Sequence, residues 1–281
     1  MALVSTASIV GPARAGGTGV AAFNIVQLEN VEAVLGAADR CSLPVVIQIS
    51  ENAVRYHGGL APVALACMAA AEASTAVASV HLDHAGRLDL VLEAVGLGLS
   101  SVMFDASACD YPENVAATAQ AVAACHASGV WVEAELGEVG GKQGVHSDGA
   151  RTDPGEAAAF VADTGVDALA VAVGSSHKMV DRVATLDFML IENLRATLSV
   201  PLVLHGSSGV SDENLRRAVS AGITKVNVAT QLNMAFTAAV RAHLGFHPEE
   251  VDPRGYLGAG RAAMSDEAER LFAVITGGRA V

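Results

Sequence analysis

The sequence predicts an α/β fold of the (β/α)8, or TIM-barrel, type. Three observations predict it. Apolar strand-like runs alternate with helix-like stretches through eight units, and such alternation makes a parallel sheet that eight units can close. The chain has 281 residues, which suits a barrel that takes about 250. Polar residues also recur at or just past the C-terminal ends of successive strands, and a parallel barrel gathers those ends on one face. A doubly wound open sheet is the structural alternative.

Residues 2–15 read as a short helix and turn ending at Gly16-Gly17. The strands follow at Val20–Ile25, Pro44–Ser50, Ala78–Asp83, Ser101–Ala106, Trp131–Leu136, Ala168–Gly174, Pro201–His205 and Ile223–Ala229. The helices between and after them fall near Asn30–Arg40, Pro62–Ala73, Leu88–Gly96, Pro112–Ser128, Pro154–Asp163, Leu186–Thr197, Asp212–Ala221 and Gln231–Leu244. Phe246–Leu257 reads as a loop rich in Pro, Gly and charge, and Gly260–Thr276 as a last helix. With no linker, low-complexity segment or charge block, the chain reads as one barrel domain, 1–281, with a C-terminal helical extension from about residue 246.

Composition narrows the class. Hydrophobic residues make up 52%, charged residues 17% and aromatics only 4%. The core must therefore be built from Ala, Val, Leu and Ile, which suits buried parallel strands under Ala-rich helices. Neither disorder nor a coiled coil fits. A formal net charge of −13 argues against nucleic acid, which needs a basic face. Small anions can still be held by backbone N–H groups. Cys41, Cys67, Cys109 and Cys125 lack metal-type spacing and read as thiols in a reducing compartment. No secretory leader pattern is seen, nor any run of about 18–20 apolar residues. A cytoplasmic, soluble protein without a membrane partner is expected.

The chemistry centres on Ser79-Val80-His81-Leu82-Asp83-His84, where an apolar run ends in two imidazoles and a carboxylate. His84, His177 and His205 follow strands three, six and seven. Taken singly, each reads as a hydrogen-bonded partner or a cap. Taken together, three imidazoles from separate strands can converge on one metal and leave a position open, the pattern of catalytic zinc. Cobalt or iron could substitute. His57, His126, His146, His243 and His247 fall in helices or loops and are not expected to be ligands. Asp83 can serve as a proton-transfer group beside a cation, or as an orienting partner of a ligand histidine. His81 points the same way along its strand and is expected to orient Asp83. Glu135, and less strongly Glu133, could be an alternative ligand or a partner of one. The turns His205-Gly206-Ser207-Ser208-Gly209 and Asn227-Val228-Ala229-Thr230 follow strands seven and eight. Barrels often bind phosphate there; the alternative is a plain turn with a hydroxyl cap.

These motifs together resemble the class II, metal-dependent ketose-bisphosphate aldolases, closest to the tagatose- and fructose-bisphosphate branch. The resemblance runs through Ala22-Phe23-Asn24, Val80–His84, Ser101–Ser107, Val132–Gly141, Thr152-Asp153-Pro154, Ser176-His177, Pro201–Gly209, Lys225–Thr230 and Asp252-Pro253-Arg254. It implies a lyase that cleaves, and forms, a phosphorylated ketose such as tagatose- or fructose-bisphosphate. The products are dihydroxyacetone phosphate and an aldehyde, as in glycolysis and related carbohydrate metabolism. Zn2+ on His84, His177 and His205 would polarise the substrate and stabilise an enediolate. Asp83 would transfer the proton, Glu135 would lie near the metal, and Asn227 would steady the enediolate. Gly206, Ser207, Ser208, Ala229 and Thr230 would hold phosphate, with a monovalent cation (Na+ or K+) nearby. Asn24 and Ser50 would line the pocket, and Lys178 could reach a phosphate. Arg254 would reach a second phosphate, in a neighbouring subunit's site of a homodimer or homotetramer.

Several positions depart from the family's pattern. Lys178 stands where Gly is usual after the strand-six histidine. Gln143 follows Gly140-Gly141 where acidic residues are common. Ser207 replaces a common Gly, and Ala229 stands where many fructose-bisphosphate enzymes carry an acid. Rival readings are a Schiff-base aldolase, for which only Lys142, Lys178 and Lys225 exist, a non-catalytic aldolase-like subunit, and another metal enzyme on this barrel.

Overall fold

The computed structural model describes residues 3–136, 151–176 and 181–277. Among them, eight parallel strands close into a barrel in sequence order. The chain runs α1 (Thr6–Gly16), β1 (Val20–Asn24), α2 (Leu28–Cys41), β2 (Val45–Ser50), α3 (Glu51–His57), α4 (Leu60–Ala73), β3 (Ala78–Ala85), α5 (Leu88–Leu97), β4 (Ser101–Phe104) and α6 (Tyr111–His126). It continues β5 (Trp131–Glu135), α7 (Pro154–Thr164), β6 (Ala168–Ala170), α8 (Phe188–Thr197), β7 (Leu202–Leu204), α9 (Asp212–Ala221), β8 (Ile223–Val228), α10 (Thr230–Phe246) and α11 (Pro253–Thr276). The (β/α)8 barrel expected from the sequence is thus observed.

Short polar side chains start many of the helices. Ser5, Ser50, Asp110, Asp153, Asp187, Ser211 and Asp252 each accept a backbone N–H of the first turn, satisfying donors that have no partner within the helix. Ser50 shows why α3 is not evident from the sequence. It ends β2 and at once caps a helix that buries only Ala53 and Val54, too short a helix to show an apolar period. At the other end of the chain, the loop expected through Leu257 is shorter. Asp252 caps α11 and Pro253 occupies its first turn, where proline's missing N–H costs nothing.

The strand expected to run from Ala168 to Gly174 stops at Ala170. Thr152 there takes up the backbone of Ala172, donating its N–H to the Ala172 carbonyl at 2.9 Å and accepting the Ala172 N–H on Oγ1 at 2.8 Å. That exchange replaces a sheet ladder.

The core has two parts. The larger lies between strands and helices and is built mainly from Val, Leu, Ile and Ala, with Phe23 edge-on to Phe272 of α11 at 5.2 Å. The smaller fills the barrel's N-terminal end. There Val10 of α1 packs with Met103, Trp131, Ala168, Ala170 and Val203, and Ile9 and Ala13 pack on Val20, Ala22 and Val46. Helix α1 therefore plugs the floor. The opposite end, where the strands finish, stays open. β3 reaches that end irregularly. Its register with β4 shifts between Leu82 and Ala85, and His84 takes φ 52°, a left-handed conformation that non-glycine residues avoid. Strict alternation would send Asp83 and His84 to opposite faces. The bulge lets both serve the mouth.

Candidate active site

The mouth holds a cavity of about 630 Å³. Its lining includes Asn24, Ser50, Asp83, His84, Asp105, His205, Gly206, Ser207, Ser208, Asn227, Ala229 and Thr230. These residues come from the ends of β1, β2, β3, β4, β7 and β8, so the barrel brings together residues far apart in sequence. His177, Lys178, Lys142 and Gln143 lie outside the described residues. Arg254 is not in the lining; its guanidinium is exposed and ion-paired with Asp252.

The two described histidine candidates face each other. Nε2 of His84 and Nδ1 of His205 are 3.0 Å apart. Each ring's other nitrogen meets a carboxylate: His84 Nδ1 lies 2.7 Å from Asp105 Oδ2, and His205 Nε2 lies 2.8 Å from Glu133 Oε1. A carboxylate can only accept, so each of these outer nitrogens carries the proton. The two inner nitrogens face each other within hydrogen-bond distance, and once both are deprotonated their lone pairs can share one cation. Carboxylate-backed imidazoles of this kind are how proteins orient metal ligands.

Asp83 completes the set. Its Oδ2 accepts the Asn24 amide N–H at 2.8 Å, while its buried Oδ1 has no hydrogen-bond partner among the described residues. Candidate ligand atoms of Asp83, His84 and His205 lie within 4.8 Å of one another, as do those of His84, Asp105 and Glu135. A buried, unsatisfied carboxylate oxygen is costly, and a divalent cation or a substrate hydroxyl would satisfy it. The donor set is nitrogen and oxygen without thiolate, which suits zinc. Burial alone would push the Asp83 carboxyl up. The positive field of His84, His205 and Lys225 and the Asn24 hydrogen bond outweigh it and hold the group at about 2.

His81 does not orient Asp83 as the sequence suggests. Its Nδ1 pairs with Ser101 Oγ at 2.8 Å, and burial, then the Lys225 charge, hold the imidazole well below its ordinary range. Asn24 takes that orienting role. It is itself fixed by the amide of Gln48, which donates to Asn24 Oδ1 at 2.9 Å. Glu133, the weaker sequence candidate, is fully buried and backs His205, while Glu135 lies beside His84 and Asp105.

Sequence reasoning missed Asp105 as the His84 partner, Gln48 as the support of Asn24, and Lys225. A faint signal existed for the last two: Gln48 alternates with Ser50, and Lys225 with Asn227, inside otherwise apolar strands. Lys225 is also a poor Schiff-base candidate. Its Nζ donates to Glu133 at 2.8 Å, and the residue does not line the cavity.

The far side of the cavity is made by two turns. Gly206 has φ 65°, and a Cβ there would come within 2.6 Å of the Ser176 backbone, so only glycine fits. Ser207 donates its hydroxyl to the Asn227 carbonyl, tying the β7 and β8 turns together. Helix α10 starts behind Ala229 with no side-chain cap, so its first-turn N–H groups are left for another acceptor.

Comparison with known proteins agrees with this geometry. The family profile of class II fructose-bisphosphate aldolase matches residues 4–277. The crystal structure of the YdjI aldolase from Escherichia coli K12 is similar at 31% identity and a TM-score of 0.84, over 97% of each chain. The fructose-bisphosphate aldolase of Campylobacter jejuni is similar at 25% identity and a TM-score of 0.82, over 97% of this chain and 95% of that one. With the family profile matched over residues 4–277 on a closed eight-stranded barrel, the chain belongs to the class II fructose-bisphosphate aldolase family.

Proposed function

We propose that this aldolase cleaves a ketose 1,6-bisphosphate such as tagatose- or fructose-bisphosphate to dihydroxyacetone phosphate and an aldehyde, assisted by zinc. The observation that carries the reading is the pair of facing imidazole nitrogens at 3.0 Å beside the unpartnered Asp83 Oδ1. His84 and His205 would hold the ion, with His177 as the third imidazole and Glu135 as an alternative ligand. A bound divalent cation supplies Lewis-acid polarisation of the substrate carbonyl.

The chain's own residues do the rest. Asp83 is ionised throughout the neutral range, and its Oδ1 accepts the proton of the hydroxyl on the carbon that becomes the aldehyde, as the adjoining carbon–carbon bond breaks. In the synthetic direction it returns that proton. Asn24 holds the other Asp83 oxygen and so aims the free one. The Asn227 amide donates toward the oxygen on which charge grows. The uncapped start of α10 and the Gly206–Gly209 turn receive the phosphate, with Ser208 and Thr230 beside it and a monovalent cation (Na+ or K+) in support. Ser50 and Ala229 border the sugar chain, and Lys178 would add a charge for a substrate phosphate.

The working form is a homodimer or homotetramer in the cytoplasm, with Arg254 serving a neighbouring site. No helix of the described residues is long and apolar enough to cross a membrane. A panel of phosphorylated ketoses, assayed with zinc for dihydroxyacetone phosphate release, tests the reading. Release from a ketose bisphosphate is expected, and no release from any member would overturn it.

A further inference from the structure

Lys225 is a charge that the proposed reaction does not use. It lies in β8, fully buried inside the barrel, and does not line the cavity. Its Nζ donates to Glu133 Oε2 at 2.8 Å and to Asn227 Oδ1 at 2.9 Å. Fold stability does not account for it, because an ion pair taken wholly out of water contributes little net stability and apolar residues commonly replace it without loss.

Both partners of Lys225 lead to the site. Glu133 has two carboxylate oxygens. With Oε2 engaged by the ammonium, Oε1 is turned to Nε2 of His205 at 2.8 Å. That contact places the His205 proton on Nε2 and the lone pair on Nδ1, facing His84. Asn227 has an amide whose two ends are nearly alike in shape. An ammonium donates and cannot accept, so Lys225 selects the oxygen end. The NH2 end must then point away from it. It lies 3.1 Å from Nε2 of His205, on a residue that does line the cavity. Since Nε2 already donates to Glu133, this contact is packing against the ring, and the amide nitrogen also lies 3.5 Å from His205 Nδ1, so its orientation bears directly on that ring.

We propose that Lys225 is a positioning residue of the aldolase site: it fixes the ring and tautomer of His205 through Glu133, and the orientation of the Asn227 amide directly. The proposal rests on the metal-assisted reading above.

The test uses the full chain as wild type, as Lys225→Met, and as the double variant Lys225→Met with Glu133→Gln, which leaves no unpaired buried carboxylate. Each metal-free protein is titrated with Co2+ in the absence of substrate and followed by its visible spectrum. Zinc affinity is measured by competition with a chromogenic chelator, and kcat and KM are measured at saturating zinc. Metal affinity should fall about 10- to 100-fold in the folded variants, the size of effect seen when a partner of a metal ligand is lost. The cobalt spectrum should shift, and kcat should fall with KM little changed. A lower melting temperature with wild-type cobalt affinity and spectrum would mean that Lys225 only supports the fold, and would overturn the proposal. Should neither variant fold, histidine 15N shifts of the wild type decide it: the proton of His205 is expected on Nε2, and finding it on Nδ1 overturns the proposal. A wild type that binds no Co2+ would remove the metal-assisted reading itself, a distinguishable failure.

Discussion

The two ends of the barrel are built on opposite rules. At the floor, α1 seats Val10 against Met103, Trp131 and Val203. The one buried hydroxyl of that helix, Thr6 Oγ1, is satisfied by Ser100 at 3.1 Å and Ser101 at 2.6 Å. At the mouth, His84 is held in a left-handed conformation, the His84 and His205 ring nitrogens stand 3.0 Å apart, and among the described residues Asp83 Oδ1 has no hydrogen-bond partner. The floor is optimised for packing. The mouth keeps a strained backbone at His84 and an unsatisfied carboxylate oxygen on Asp83. The difference teaches where a substitution will be felt: floor changes should cost stability and spare turnover, and mouth changes should do the reverse.

Asp83→Ala gives the sharpest contrast. Turnover should fall about 10²- to 10⁴-fold, the usual size of a general acid–base contribution, with zinc retained and the fold intact by circular dichroism. If Asp83→Ala turns over like wild type, the mouth has been assigned wrongly. His205→Ala should lower zinc content per chain and activity together. Excess zinc should restore part of the activity, which elemental analysis alongside the assay would reveal. On the floor, Met103→Ala should cost about 2–5 kcal/mol in denaturant unfolding, as for other buried Met truncations, while the kcat of the remaining folded enzyme is unchanged.

The smallest effect is in pH. Asp83 sits at about 2 against an ordinary 3.8. A depressed carboxylate adds stability above its unfolded value, and that stability is lost as pH falls through the folded value. In the metal-free protein, acid unfolding between about pH 4 and pH 2 should be shallower in Asp83→Asn than in wild type. Parallel curves would contradict the field ascribed to His84, His205 and Lys225.

How much of this was legible in the sequence follows from what is local. The strands were legible because their apolar runs are continuous and end in a polar residue, as at Asn24, Ser50 and Asn227. His84, His205 and Asp83 could be singled out because they sit at those ends. The short α3 was not, since a helix with two buried side chains leaves no period to read. The start of α11 was misread because Asp252-Pro253 is punctuation for a turn and for a helix start alike. The supporting pairs were out of reach for a different reason. Glu133 and Lys225 are 92 residues apart, and His84 and Asp105 are 21 apart. Which buried charges meet is decided by barrel closure, not by spacing.

The central claim is that the facing histidines and Asp83 form a working metal site at the mouth. Complete removal of metal with a chelator, followed by stepwise return of zinc, tests it most directly with dihydroxyacetone phosphate release as the readout. Cleavage of the ketose bisphosphate should vanish on removal and return in proportion to zinc bound, saturating near one equivalent per chain. Cleavage that persists at full rate in protein shown to be free of metal would contradict it.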